Sequence, residues 1–109
     1  MWKWLSNYFT ACEWQDRAEE IHKDLGTDCD ETSIKVIREM EAQGLQLGVE
    51  VVVVYGRIHG EKHMCLEMYG KNSPDKKGRP VYKLNGYRID GTAYGNRMTH
   101  IWKAPYGQF

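Results

Sequence analysis

The chain has 109 residues, 41% hydrophobic and 28% charged, and its fifteen acids balance fifteen lysines and arginines. That length favours one domain over residues 1–109, because two would each approach the lower limit for independent folding. No apolar run nears the roughly 18 residues that cross a bilayer, which excludes a helical membrane span and predicts a soluble, globular chain.

The opening segment "MWKWLSNYFTACEW" is aromatic rather than smoothly apolar, and Ser6 and Asn7 stand where the core of an export signal would be. No export is predicted from it, so the expected compartment is the cytoplasm. Residues 2–24 suit a helix or two short ones, because Leu5, Tyr8, Phe9, Cys12, Ala18, Ile21, His22 and Leu25 recur at three-and-four spacing. Glu13, Asp16, Glu19 and Glu20 fall on the wet face. Gly26 reads as a helix stop, and Thr27 or Asp28 can cap a second helix whose first turn holds Cys29, Asp30 and Glu31. The inward stripe of that helix runs Cys29, Ser33, Val36, Ile37 and Met40 and ends near Gly44.

From "GVEVVVVYGRI" onward the period changes. The run Val49 to Val54 is too short and too β-branched for a good helix and suits a central strand. "HGEK" is a turn, "HMCLEMYG" a second strand, "RPVYKLNGYRI" a third and "NRMTHIWKA" a fourth, all reachable by antiparallel hairpins. "GKNSPDKKGRP", residues 70–80, is the one long loop expected. Helices first and about four strands after them predict an α+β domain with N-terminal helices packed on an antiparallel sheet.

Cys12, Cys29 and Cys65 are an odd number at unrelated spacings, which fits free thiols better than a disulfide framework. Cys29 has the most promising placement, because the N–H dipoles of a helix N-terminus favour a thiolate. Asp28 and Asp30 oppose this unless a cation such as an imidazolium lies close by. Among the four histidines, His63 begins a strand just after a turn, where it can lean toward a helix tip. His59 precedes the turn, while His22 and His100 lie far along the chain on either side. If the hairpin is symmetric about residue 75, positions 63 and 87 face each other and Asn85 points to the same side as His63.

The order Cys29, His63, Asn85 resembles the papain-like cysteine peptidases, and more closely the bacterial transglutaminase-like cysteine peptidases. The nucleophile motif of that group, of Gly-Asp-Cys-Asp-Asp type, is matched by "GTDCDE", its histidine strand by "KHMCLEM", and its third motif by "VYKLNG". Residues 26–90 carry the likeness. Asn85 stands where the group usually has Asp, Lys62 where a glycine often precedes the histidine, and Asp90 and Asp75 are the other carboxylates within reach. The resemblance implies a thiol-dependent amide hydrolase or acyl transferase acting on a peptide or protein amide. Cys29 would attack the carbonyl, His63 would carry the proton and Asn85 would hold the ring. The oxyanion would meet the Cys29 N–H and a second donor from upstream, Gln15 or Trp14. No cofactor is implied.

Other readings stand beside this one. His59, His63 and Cys65 could converge on a metal with His100 or Cys29, but their spacing matches no standard zinc motif. Residues 1–50 hold eleven acids and five bases, residues 51–109 four acids and ten bases. An acidic helical half docked on a basic sheet half explains that split. A non-catalytic binding protein on the same scaffold is the alternative. It could grip nucleic acid through Lys71, Lys76, Lys77, Arg79, Lys83 and Arg88 with Tyr82 and Tyr87. It could instead meet a protein partner, or a second copy, through Trp2, Trp4, Leu5, Tyr8 and Phe9.

Overall fold

The computed structural model describes residues 11–48, 50–69, 73–74, 80–81 and 86–104. Two helices, α1 (Ala11–Leu25) and α2 (Cys29–Ala42), precede the strands β1 (Val51–Ile58), β2 (Glu61–Met68), β3 (Ser73–Pro74), β4 (Pro80–Val81), β5 (Tyr87–Ile89) and β6 (Thr99–Ala104). The helices lie on a four-stranded antiparallel sheet of order β5-β2-β1-β6, and β3 and β4 form a separate two-stranded ribbon. This is the α+β arrangement that the change of period predicts. The aromatic residues Trp2, Trp4, Leu5, Tyr8 and Phe9 lie outside the described residues.

Helix α1 buries Ala11, Trp14, Gln15, Ala18 and Ile21. The stripe is rolled by about one residue from the expected one, which leaves Leu25 60% exposed. Burying the largest apolar area decides the roll, and Trp14 carries more of it than Cys12 or Leu25. Gly26 ends α1 at φ +64, a left-handed value that its missing Cβ permits, and its N–H donates to His22 O at 2.9 Å.

Helix α2 starts with a full capping box. Asp28 accepts from the Glu31 N–H at 2.8 Å, and the Glu31 side chain accepts from the Asp28 N–H at 3.2 Å. Ser33, Val36, Ile37 and Met40 are buried as the spacing predicts, together with Thr32. Arg17 joins the helices by reaching Glu39 with two 2.8 Å bonds. An exposed pair of this kind contributes about 0–1 kcal/mol.

The β1–β2 hairpin turns at His59 and Gly60, both at positive φ, as a two-residue turn between right-handed twisted strands requires. Val51 and Val53 face the helices with Met64, Leu66, Met68, Ile89 and Ala104, while Val52 and Val54 face the other side with Cys65, Tyr69 and Met98. The valine run is therefore buried on both faces.

Two expectations about connectivity are corrected. The fourth strand does not extend a meander, because β6 returns to pair with β1 on the far side of the sheet from β5. A central strand with two apolar faces gains more from a neighbour on each edge than an outer strand would. The β2–β5 register is also displaced. Leu66 faces Ile89 and Glu67 faces Arg88, so position 63 aligns with 92 rather than 87. A shift of five residues is odd and exchanges the faces of the later strand.

Gly91 fixes how closely the end of β5 approaches the helices. A Cβ there would fall 2.4 Å from the Ala18 carbonyl oxygen and 2.8 Å from Thr32 Cγ2. Since one obstacle is backbone, Gly91→Ala is expected to destabilise by about 1–3 kcal/mol in chemical denaturation. A variant as stable as the parent would contradict this close approach.

Candidate functional site

Strand β5 pairs with β2 only from Leu66 to Met68, so the earlier part of that β2 edge is open. The N-terminus of α2 docks there. Ser33 Oγ donates to Met64 O at 3.4 Å, and the Met64 N–H serves the Cys29 sulfur. In an antiparallel strand the N–H and C=O of one residue point the same way, so α2 takes both free backbone groups of Met64. The thiol is thereby held on the helix side of the β2 edge, against the backbone of Met64, while the His63 side chain leaves the neighbouring position on the opposite face of the sheet.

Burial raises the Cys29 pKa above the ordinary thiol value. The Met64 N–H opposes that rise, while Asp30 and Asp28 add to it. Cys29 Sγ points its proton at Asp30 Oδ1, 3.5 Å away. The flanking acids thus act in the direction that the sequence predicts.

His63 is buried on the sheet face that carries Cys65, and its Nε2 lies 2.6 Å from Asp90 Oδ2. Asp90 is itself fully enclosed at the end of β5. Burial alone would raise its pKa, but hydrogen bonds from His63, from the Ala93 N–H and from Arg88 outweigh that and hold the carboxyl below the ordinary range. An ionised Asp90 can only accept, so Nε2 carries the proton. In the neutral ring Nδ1 is then the basic nitrogen. It makes no hydrogen bond among the described residues.

The surroundings of Asp90 are built to keep it charged and still. Oδ1 accepts from the Thr92 and Ala93 N–H groups at 3.1 and 3.0 Å. Arg88 Nη2 donates to Oδ2 at 2.5 Å, and Arg88 Nη1 donates to Asn96 O at 2.5 Å, which ties the 93–96 turn back over the site. Gln15 reaches from α1 and clamps the backbone, accepting from the Asp90 N–H at 2.7 Å and donating to Asp90 O at 2.8 Å. Its other amide hydrogen goes to Glu19 Oε2 at 2.6 Å. With both hydrogens committed, Gln15 serves here as a brace for Asp90 rather than as an open oxyanion donor. Trp14, the other upstream candidate, is fully buried.

Asn85 and Asp75 lie outside the described residues. Among the described residues the group that holds the His63 ring is Asp90. The corrected register explains its position: continued one step, it sets Asp90 across from Cys65, on the face of His63. The sequence signal is "IDGTA", a carboxylate closing a strand before a turn, and Asp90 does cap that turn through Thr92 and Ala93. The symmetric hairpin concealed it.

Ligand atoms of His63, Cys65 and Asp90 lie within 4.8 Å of one another, a set that could hold a metal ion. Arg88 already supplies the cation that Asp90 faces, and Asp90 has no free lone pair toward the group. Burial also pushes the Cys65 thiol up to about 12, reinforced by the Asp90 charge. The donors therefore fit the internal ion pair better than a metal. His59 stands apart in the hairpin turn, and His22 Nδ1 donates to Thr27 O at 2.6 Å.

Of the basic set, Lys71, Lys76, Lys77, Arg79, Lys83 and Tyr82 lie outside the described residues, and Arg88 is turned inward onto Asp90. No described helix is long and apolar enough to cross a membrane. Comparison with protein-family models, curated proteins and solved structures finds no match to this chain.

Proposed function

We propose that the protein is a thiol-dependent amide hydrolase or acyl transferase of the transglutaminase-like cysteine peptidase kind, with Cys29, His63 and Asp90 as its catalytic residues. The observation that carries this reading is the buried 2.6 Å pair of His63 Nε2 and Asp90 Oδ2, on the strand whose next residue receives Cys29. A histidine fixed through Nε2 by an ionised carboxylate presents Nδ1 as a base, the division of labour that an activated thiol requires.

In this reading Nδ1 of His63 reaches round the open β2 edge to take the Cys29 proton as sulfur attacks the amide carbonyl, and the oxyanion forms against the Cys29 N–H in the first turn of α2. The C–N bond breaks as the imidazolium returns the proton to the leaving amine, which leaves a thioester on Cys29. Water, activated by His63, then releases an acid and the free thiol. An amine in place of water gives transamidation.

Alkylation by iodoacetamide near neutral pH, read by mass spectrometry of the three cysteine peptides, tests the reading. Cys29 is expected to react faster than Cys12 or Cys65, and His63→Ala is expected to slow it by about tenfold or more, the lower range of base assistance. Equal, slow labelling of all three thiols, or a Cys29 rate indifferent to His63, would sink it.

A further inference from the structure

We propose that Tyr55 and Trp102 form a shelf that binds an aromatic side chain of a peptide, favouring one with a basic neighbour, while the peptide carbonyl lies at Cys29. The proposal rests on the reading of Cys29 as the nucleophile and names the substrate class for it.

Met64, Tyr55 and Trp102 face one another across β2, β1 and β6, so their side chains form one row on the helix side of the sheet. Cys29 sits at the Met64 end of that row. Tyr55 and Trp102 stack with ring centroids 5.5 Å apart and planes 27° apart. Trp102 is nonetheless 55% exposed, on a strand that forms the sheet edge. Tyr55 and Cys29 both pack against the helix-side core. Burial raises the Tyr55 phenol, and the Asp30 charge adds to that rise, which places the hydroxyl within the field of Asp30.

Trp102, more than half exposed while stacked on Tyr55, offers aromatic surface to a third ring, in the offset geometry that aromatic groups prefer. The charge around it selects further. Asp28, Asp30 and Glu31 are exposed, and none of them forms an ion pair among the described residues. A peptide that brings an aromatic ring to Trp102 and a lysine or arginine beside it meets both features. Its positive charge also offsets the Asp30 and Asp28 carboxylates, which add to the rise that burial gives the Cys29 thiol.

The test uses the full chain and four alkylating probes with the same leaving group: iodoacetyl-Gly amide, iodoacetyl-Phe amide, iodoacetyl-Phe-Lys amide and iodoacetyl-Phe-Glu amide. In each case the C–I bond breaks as the Cys29 S–C bond forms, and iodide leaves. The Phe probe is expected to label Cys29 about tenfold faster than the Gly probe, the scale of one good stacking contact. The Phe-Lys probe should exceed the Phe-Glu probe by several-fold at low salt, and the gap should narrow at 1 M salt. Trp102→Ala should bring the Phe and Gly rates within about twofold of each other, while Trp102→Tyr, which restores a ring, should recover the ratio. Equal Phe and Gly rates in the parent, or a ratio that survives Trp102→Ala, overturn the shelf. Equal Phe-Lys and Phe-Glu rates overturn the preference for a basic neighbour. The Phe-to-Gly ratio at Cys29 does not depend on His63. Loss of the His63 effect with the ratio intact therefore rejects the catalytic reading alone.

Discussion

Asp90→Asn is expected to destabilise the protein by about 3–5 kcal/mol, the scale of removing one partner from a buried charge network. The replacement keeps the shape and can keep the acceptor that caps Thr92 and Ala93, but it puts an amide donor where Arg88 Nη2 and His63 Nε2 both donate. Arg88 is then left partly buried with no carboxylate among the described residues. Urea denaturation of the two proteins reads the difference directly. A loss below about 1 kcal/mol would mean that the network is held by its frame and not by the charge.

The same carboxylate gives the effect a pH dependence of known sign. Asp90 is held ionised in the folded chain below its ordinary value, so on acidification the unfolded chain takes up the proton first. The stability it contributes is complete above roughly pH 4, the value for an unfolded aspartate, and is lost as pH falls through the lower folded-state value. The Asp90→Asn protein lacks this group, so the gap between the two proteins should narrow in acid. A gap that stays constant down to pH 2 would count against a depressed Asp90.

Leu66→Ala is the second large change, with an expected cost of about 2–5 kcal/mol. Leu66 is fully buried between Val53 and Ile89 under both helices, so the lost methyl groups leave a cavity in the most constrained part of the sheet. It also separates Cys65 from Glu67 on the strand that carries His63, and its collapse would move the strand on which the site depends. Ile101→Ala, at a position 55% exposed on the edge strand, should stay within about 0.5 kcal/mol of the parent. Equal effects at the two positions would contradict the assignment of core and edge.

Much of the site was legible because its determinants are local. Asp28, Cys29 and Glu31 announce a capped helix start through side chains that bond their own backbone, and that needs no distant partner. His63 was legible as the histidine at the start of a strand. Asp90 was visible only as one of several carboxylates, because placing it on the face of His63 requires the β2–β5 register, which the sequence between those strands leaves open. The role of Gln15 was still less accessible. It bonds a backbone 75 residues away, and no sequence spacing encodes that reach.

The sequence by itself determined the elements: two helices with their capped ends, a valine-rich central strand, and an α+β class with helices ahead of the sheet. Periodicity and capping are written residue by residue, so they survive without knowledge of the whole. Only the tertiary structure decided the strand order, the choice of Asp90 to hold His63, and the row that runs from Cys29 to Trp102. Each of these depends on which strand edge meets which, and that is settled by the combined burial of both faces of β1 rather than by any one segment.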